Sequence, residues 1–251
     1  MSRVPFLLIL IVVIASLPVI NNWLSTQKKP AEVELSDSYI GKRLDDYISR
    51  NIDQILATIQ AKSNEAARDN VVKNRILQYK DRIFNENYPY SGNKDSNVIA
   101  VGFFDYSCGY CKLIKDDIKQ LINDGKIKYI FRDTPILGKG SMKAAKSALA
   151  VYFLDEKKYL GFHDAALSHK GEFSDDVILN IVESLGINKD DFSASLDNNM
   201  DKIKHMINDS RLLVNDLGVG GTPFLIIGDS IFVGATDLSV LRRKVDELKN
   251  K

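Results

Sequence analysis

Val98-Ile99-Ala100-Val101-Gly102-Phe103-Phe104 runs into Asp105-Tyr106-Ser107-Cys108-Gly109-Tyr110-Cys111-Lys112, and this passage decides the fold. The apolar run reads as a buried strand, and Cys108 to Asn123 reads as the helix that follows, with Leu113, Ile114, Ile118, Leu121 and Ile122 facing inward and Gly125 ending it. Ile127 to Phe131 is a second strand. The result is a strand–helix–strand unit with a cysteine pair at the carboxyl end of the first strand, where open α/β sheets place their sites.

Cys108 and Cys111 are the only two cysteines in 251 residues. A disulfide between them closes a tiny loop and removes little unfolded-state entropy, so it is a poor staple. As a reagent it is well placed. A thiol at a helix N-terminus feels unpaired N–H groups and the positive end of the dipole, which favour thiolate, the attacking form. A structural zinc site is the competing reading. It wants four ligands, and there is no second cysteine pair, while His163, His169 and His205 are scattered. A redox pair needs no cofactor beyond its own disulfide. Cys108, at the helix start, is expected to be exposed and to attack; Cys111, one turn in, is expected to be buried and to resolve the mixed disulfide. Gly109 and Tyr110 are expected to tune the pair. Asp105 is either a proton relay to the resolving thiol or an exposed acid ending the strand. Lys112 and Lys115 either support the thiolate or are merely solvated, and His163 reads as structural.

The N-terminus gives the compartment. Arg3, an unbroken apolar run from Phe6 to Ala15 and polar Asn21-Asn22 outline an export signal over residues 1–20. The run is short for a membrane span, and Val13-Ile14-Ala15 is a weak cleavage site, so cleaved signal and retained inner-membrane anchor both stay open. Either way the remainder leaves the cytoplasm, and in an oxidising compartment disulfides persist. Charge is balanced, with 34 basic against 33 acidic residues and no like-charge block, which excludes an electrostatic nucleic-acid binder.

Residues 21–36 read as a polar linker in which Trp23 sits either at a membrane interface or loosely ordered. Residues 37–96 read as a helical arm and loop: one amphipathic helix from Asp37 to Ser63, a second from Glu65 to Phe84 with Val72, Ile76, Tyr79 and Ile83 on one stripe, then a loop from Asn85 to Asn97. The stripes must be buried, against the following domain or against the same helices of another subunit. Residues 97–251 form the α/β domain. Within it Ser141–Leu154, Lys157–Ser168, Ser174–Leu185 and Lys189–Leu213 read as helices. Gly218-Val219-Gly220-Gly221-Thr222-Pro223 then leads into a strand, Phe224–Ile227, and its hairpin partner, Ile231–Val233. Pro223 suits either a cis bond in a tight turn or an ordinary strand start.

Phe103-Phe104-Asp105-Tyr106-Ser107-Cys108-Gly109-Tyr110-Cys111-Lys112 resembles the active-site signature of the DsbA-like branch of the thioredoxin superfamily, nearest to its Com1-type exported thiol–disulfide oxidoreductases. Gly138 to Ala145 and Phe162-His163-Asp164 look like the family's helical insertion, and Gly220 to Phe224 looks like its cis-proline loop. The resemblance implies an α/β thioredoxin-like fold with an inserted helical domain, at about 138–215, preceded by an N-terminal helical arm. It implies that Pro223 is cis and faces the Cys108–Cys111 pair, and that the backbone around Thr222 binds an extended client peptide. The expected partners are exported cysteine-containing proteins, a quinone-linked membrane redox partner and, through the arm, further copies of the chain. The expected activity is disulfide formation, with isomerisation or reduction as the alternative. The best-known oxidases of the group carry Pro-His between the cysteines, where this chain carries Gly-Tyr.

Overall fold

The structure, a computed structural model, describes residues 37–250. The export signal or anchor at 1–20 and the linker at 21–36 lie outside the described residues. Of the described residues, those up to Lys62 belong to one compact unit and those from Ser63 to a second.

The arm is one helix, α1 (Asp37–Gln78), followed by the single turn α2 (Lys80–Ile83). The break expected at Ser63-Asn64 is absent. No proline or glycine stands between Lys42 and Gln78, and a lone asparagine does not stop a long run of helix formers. In the second unit Ile76 and Ile83 are buried and Val72 and Tyr79 pack against the core, as the stripe requires.

A five-stranded sheet has the order β1-β3-β2-β4-β5, with β1 Tyr90–Gly92, β2 Ile99–Phe104, β3 Lys128–Asp133, β4 Phe224–Ile227 and β5 Ser230–Val233. β2 and β3 are parallel, joined by α3 (Gly109–Asn123); β1 lies antiparallel on β3, β4 on β2 and β5 on β4. β1 falls in the stretch read as loop. Three residues after Pro89 carry no alternation to betray a strand, and it forms because β3 offers it an edge. β3 also runs two residues past the expected Phe131. Arg132 and Asp133 read as its end, yet both are buried.

Between β3 and β4 come α4 (Lys139–Leu154), α5 (Glu156–Ser168), α6 (Asp175–Ser184), α7 (Lys189–Asn198) and α8 (Met200–Asp216), and α9 (Leu238–Lys249) closes the chain. The order expected from the sequence, β-α-β, helices, β-β-α, is thus present with β1 added. Local chemistry sets the helix starts: Asp155, Ser174 and Asn188 each cap with a side-chain oxygen on a backbone N–H. The run read as a single helix from Lys189 to Leu213 is two, which meet at Asn199: its backbone leaves helical geometry (φ −109°, ψ 10°), and its side-chain amide donates to the Ser195 carbonyl at 2.9 Å.

The insertion is tied to the sheet through a buried guanidinium. Arg132 is 0% exposed, stacks over the Tyr88 ring at 3.7 Å and donates to Ser210 Oγ (3.0 Å), Asp209 Oδ2 (2.6 Å) and the Arg82 carbonyl (2.7 Å). Asp209 also receives Arg82 Nε at 2.8 Å and the Tyr88 hydroxyl at 3.1 Å. Removing one partner of a buried ion pair strands the other charge. Asp209→Ala is therefore expected to lower the unfolding free energy by about 3–5 kcal/mol in urea titration; a loss below about 1 kcal/mol would count against this network as a structural tie.

Candidate active site

β2 ends at Phe104, and the chain turns through Asp105-Tyr106-Ser107 into α3, whose N-cap is Cys108. The turn is closed by Cys108 N–H donating to the Asp105 carbonyl (3.0 Å), and Lys112 N–H donates to the Cys108 carbonyl (3.1 Å). Both cysteines are free thiols. Cys108 is not the exposed thiol expected: it is 6% exposed, because the Thr222 carbonyl sits over it and accepts its S–H at 3.2 Å. Cys111 is buried as expected, and its sulfur accepts the Asp105 backbone N–H at 3.5 Å. Burial pushes the Cys111 thiol well above its ordinary range, with the neighbouring Cys108 adding to the effect.

The Thr222–Pro223 bond is cis, and it sits where β4 begins, beside the thiol pair. Gly109 opens α3, and a Cβ there would meet nothing within 4 Å, so packing does not demand a glycine. Tyr110 projects into solvent, 65% exposed.

Asp105 is buried rather than an exposed strand end, and it is fully committed. Oδ1 accepts Ser107 N–H at 2.7 Å, and Oδ2 accepts Ile136 N–H at 2.8 Å and Leu137 N–H at 3.0 Å. These bonds favour a clamp over a proton relay. Lys112 Nζ donates to the His169 carbonyl (2.6 Å) and Lys115 pairs with Asp116, so neither lysine is spent on the thiols. His163 is buried edge-on against Phe104 and Phe131, and burial lowers its pKa to about 4, which keeps it neutral. Among the described residues no group of three or more His, Cys, Asp or Glu side chains is placed to hold a metal. No described helix is long and apolar enough to cross a membrane.

The sequence reading missed the polar cluster behind this loop. Asp133, at the end of β3, accepts the Tyr159 hydroxyl at 3.0 Å, while its Oδ1 has no partner. The Tyr106 hydroxyl lies 3.3 Å from His163 Nδ1. An acid placed among strand residues is the only signal the sequence offers for it.

The model of the DSBA-like thioredoxin domain matches residues 100–246, more than half of the chain. The chain belongs to that family. The thiol–disulfide exchange protein alpha-DsbA2 of Wolbachia pipientis is 75% identical, with a TM-score of 0.72 over 72% of this chain and 98% of that one. A periplasmic thioredoxin-like protein of Salmonella enterica serovar Typhimurium is 25% identical, with a TM-score of 0.60 over 68% and 95%. Disulfide bond formation protein D of Bacillus subtilis is 25% identical over 173 residues, which cover 65% of this chain and 78% of that protein. The DSBA-like chain is a thiol–disulfide oxidoreductase with the thioredoxin-like fold and inserted helices of its family, and it carries the Cys108–Cys111 C-x-x-C pair.

Burial raises the Asp133 pKa to about 7, against the pull of the Tyr159 and Tyr106 hydroxyls. Between its unfolded value, about 3.9, and 7 the folded chain binds the extra proton. Stability from this group therefore falls as pH rises through that window and levels off above it. The stability of Asp133→Asn relative to wild type is expected to rise by about 2 kcal/mol between pH 5 and 7.5, read from urea unfolding at both. A pH-independent difference would refute the assignment.

Proposed function

We propose that this protein introduces disulfide bonds into exported proteins in the periplasm. The observation that carries the reading is the Cys108 sulfur at the head of α3, 3.2 Å from the backbone that precedes Pro223. The apolar run behind Arg3 and the periplasmic Salmonella relative support the compartment.

In the oxidised enzyme a client thiolate attacks Cys108 Sγ, forming a mixed disulfide and expelling Cys111 sulfur. That sulfur leaves into a buried site where the charged form is disfavoured, so it takes up a proton, with the Asp105 N–H as its hydrogen-bond donor. A second client thiolate then attacks the client sulfur of the mixed disulfide and releases Cys108 as thiolate. The client loses two electrons and gains a disulfide; the enzyme is left reduced, with Cys108 as thiolate and Cys111 as thiol. A quinone-linked membrane partner is the proposed acceptor of those electrons. The client lies extended along Thr222 and Pro223 while this happens, pairing with backbone groups as an added strand. Gly109 and Tyr110, between the sulfurs, are the proposed tuners of the potential.

Equilibration with glutathione tests the reading. The Cys108–Cys111 disulfide is expected to be more oxidising than glutathione disulfide. Cys108→Ser is expected to abolish exchange, and Cys111→Ser to accumulate the mixed disulfide with client. A strongly reducing potential would make the protein a reductant instead.

Disulfide isomerisation or reduction is a second reading, favoured by the arm. In the first unit Ile40, Leu44, Ile48, Ile52, Leu56 and Ile59 are all exposed at helical spacing. A stripe of this kind fits a second copy of the same helix, and an assembly would hold several exchange sites for one misbridged client. Light scattering is expected to give a multiple of 28.2 kDa, reduced to the monomer by a Leu44→Asp, Ile52→Asp, Leu56→Asp triple variant; a monomeric wild type would remove this reading.

A further inference from the structure

Tyr129, in β3 beside the central strand, carries a buried hydroxyl that the fold leaves unused. The residue is 4% exposed, and among the described residues its hydroxyl has no hydrogen-bond partner. The other buried tyrosines are served: Tyr88 donates to the Met206 carbonyl, Tyr159 to Asp133, and Tyr106 meets His163. Burying a hydroxyl unpaired is unfavourable. The fold makes a second concession to this one. A side chain at position 102 would take the place of the hydroxyl, so the central strand carries Gly102, a residue that weakens strands. Phenylalanine at 129 would avoid the first of these penalties with its ring packing kept.

Tyr129, Cys111 and His163 line one cavity of about 30 Å³ between α3, α5 and the sheet. About 10–15 Å³ is enough to seat a water, which needs two or more polar partners. Three are present: the Tyr129 hydroxyl, the Cys111 sulfur and the His163 ring. Tyr106 takes His163 Nδ1 at 3.3 Å, and Nε2 has no partner among the described residues. His163, Lys115 and Ile118 also border a second cavity, of about 90 Å³, whose wall includes the exposed Lys119–Asp164 ion pair. The two cavities make a line from the buried thiol toward the surface, and Cys108 lines neither. The titratable groups around Cys111 are few. α3 brings Cys108 and Lys115, whose ammonium is turned to Asp116; β3 brings Tyr129; α5 brings His163, held neutral. Among the described residues no carboxylate lines the first cavity. Burial, with the Cys111 sulfur adding to it, pushes the Tyr129 phenol upward, so it stays a donor.

Resting on the exchange activity proposed above, we propose that Tyr129 is a positioning residue for the resolving thiol: its hydroxyl holds a water in this cavity against Cys111, and that water carries the Cys111 proton. In the mixed disulfide with a client, Cys111 gives its proton to the water as its sulfur attacks Cys108 Sγ. The bond between Cys108 and the client sulfur breaks, and the client sulfur leaves with the bonding pair as thiolate. The Cys108–Cys111 disulfide forms, so the client sulfur is reduced and the two cysteines are oxidised. The proton passes along the second cavity to solvent. When the enzyme oxidises a client the steps run backwards, and the expelled Cys111 sulfur takes its proton by the same line. Through the water the phenol stabilises the developing thiolate, and it places no charge of its own in the resting site.

The test uses the reduced full-length enzyme and one equivalent of dithiobis(nitrobenzoate). Cys108 attacks this disulfide and releases one coloured thiolate; Cys111 then resolves the adduct and releases the other. Because the chain has only these two cysteines, the two phases of release report the two sulfurs separately. Cys111→Ser is expected to show the first phase alone. Tyr129→Phe is expected to slow the second phase by about tenfold, equivalent to about 1.4 kcal/mol, while the first phase, which needs an intact site, stays within about twofold of wild type. A second phase as fast as in wild type, or a first phase slowed as much as the second, would overturn the proposal and leave the exchange reading intact. Release of neither thiolate by wild type would overturn the exchange reading, and this proposal with it.

Discussion

The pairing of β2 with β4 is the constraint on which the site depends. Phe103 lies opposite Phe224, and their rings stack at 4.2 Å. β2 delivers Cys108 four residues beyond its end at Phe104, and β4 is entered directly from Thr222-Pro223. Because the strands are antiparallel, the exit of one and the entrance of the other share an edge of the sheet, and groups 114 residues apart meet at 3.2 Å. Pairing slipped by one residue would reverse the faces of every side chain in β4 and break the phenylalanine stack. Gly102 serves the pairing on the other side of β2, with β3. A Cβ there would overlap the Tyr129 hydroxyl, which lies across β2 from the neighbouring strand, so the central strand stays flat where the aromatic crosses it.

Two buried aspartates end the two central strands, and their surroundings give them different work. Asp105 meets three backbone N–H groups and spends its charge on loop geometry. Asp133 meets the Tyr159 hydroxyl on one oxygen and nothing on the other, and its pKa rises to about 7. Cys111 differs again: burial disfavours its thiolate, and its sulfur has the Asp105 N–H. A buried, proton-retaining sulfur does not compete with Cys108 for the client.

Where local pattern and tertiary outcome agreed, the sequence was a reliable guide. The Val98–Phe104 run, the Gly218–Pro223 entrance to β4 and the hairpin after it all follow from periodicity and punctuation. The inward face expected of α3 holds for Ile114, Ile118, Leu121 and Ile122, whereas Leu113 lies off that face and is 70% exposed. The failures share a cause. The apolar run predicts a strand that stops at Phe131, yet Asp209 and Ser210 arrive from the insertion to bind Arg132, and Tyr159 arrives to bind one oxygen of Asp133, so the strand continues through both. Cys108 was expected to be exposed because a helix start usually is; the carbonyl that covers it belongs to a segment no local window contains.

The insertion is part of the architecture of the sheet rather than an appendage to it. α8 supplies Asp209 and Ser210 to Arg132 on one side of β3, and α5 supplies Tyr159 to Asp133 on the other, since successive strand residues point to opposite faces. A one-residue slip of β3 would exchange the two, presenting a carboxylate to the Asp209 side and a guanidinium to the phenol cluster. Both errors leave buried charge without a partner, a far larger cost than a mispacked aliphatic. An apolar β3 would tolerate several registers at modest cost; the Arg132-Asp133 pair admits one. That register fixes the height of Thr134, hence of the Ile136 and Leu137 N–H groups, against Asp105, so polar burial deep in the insertion governs the loop that Asp105 holds.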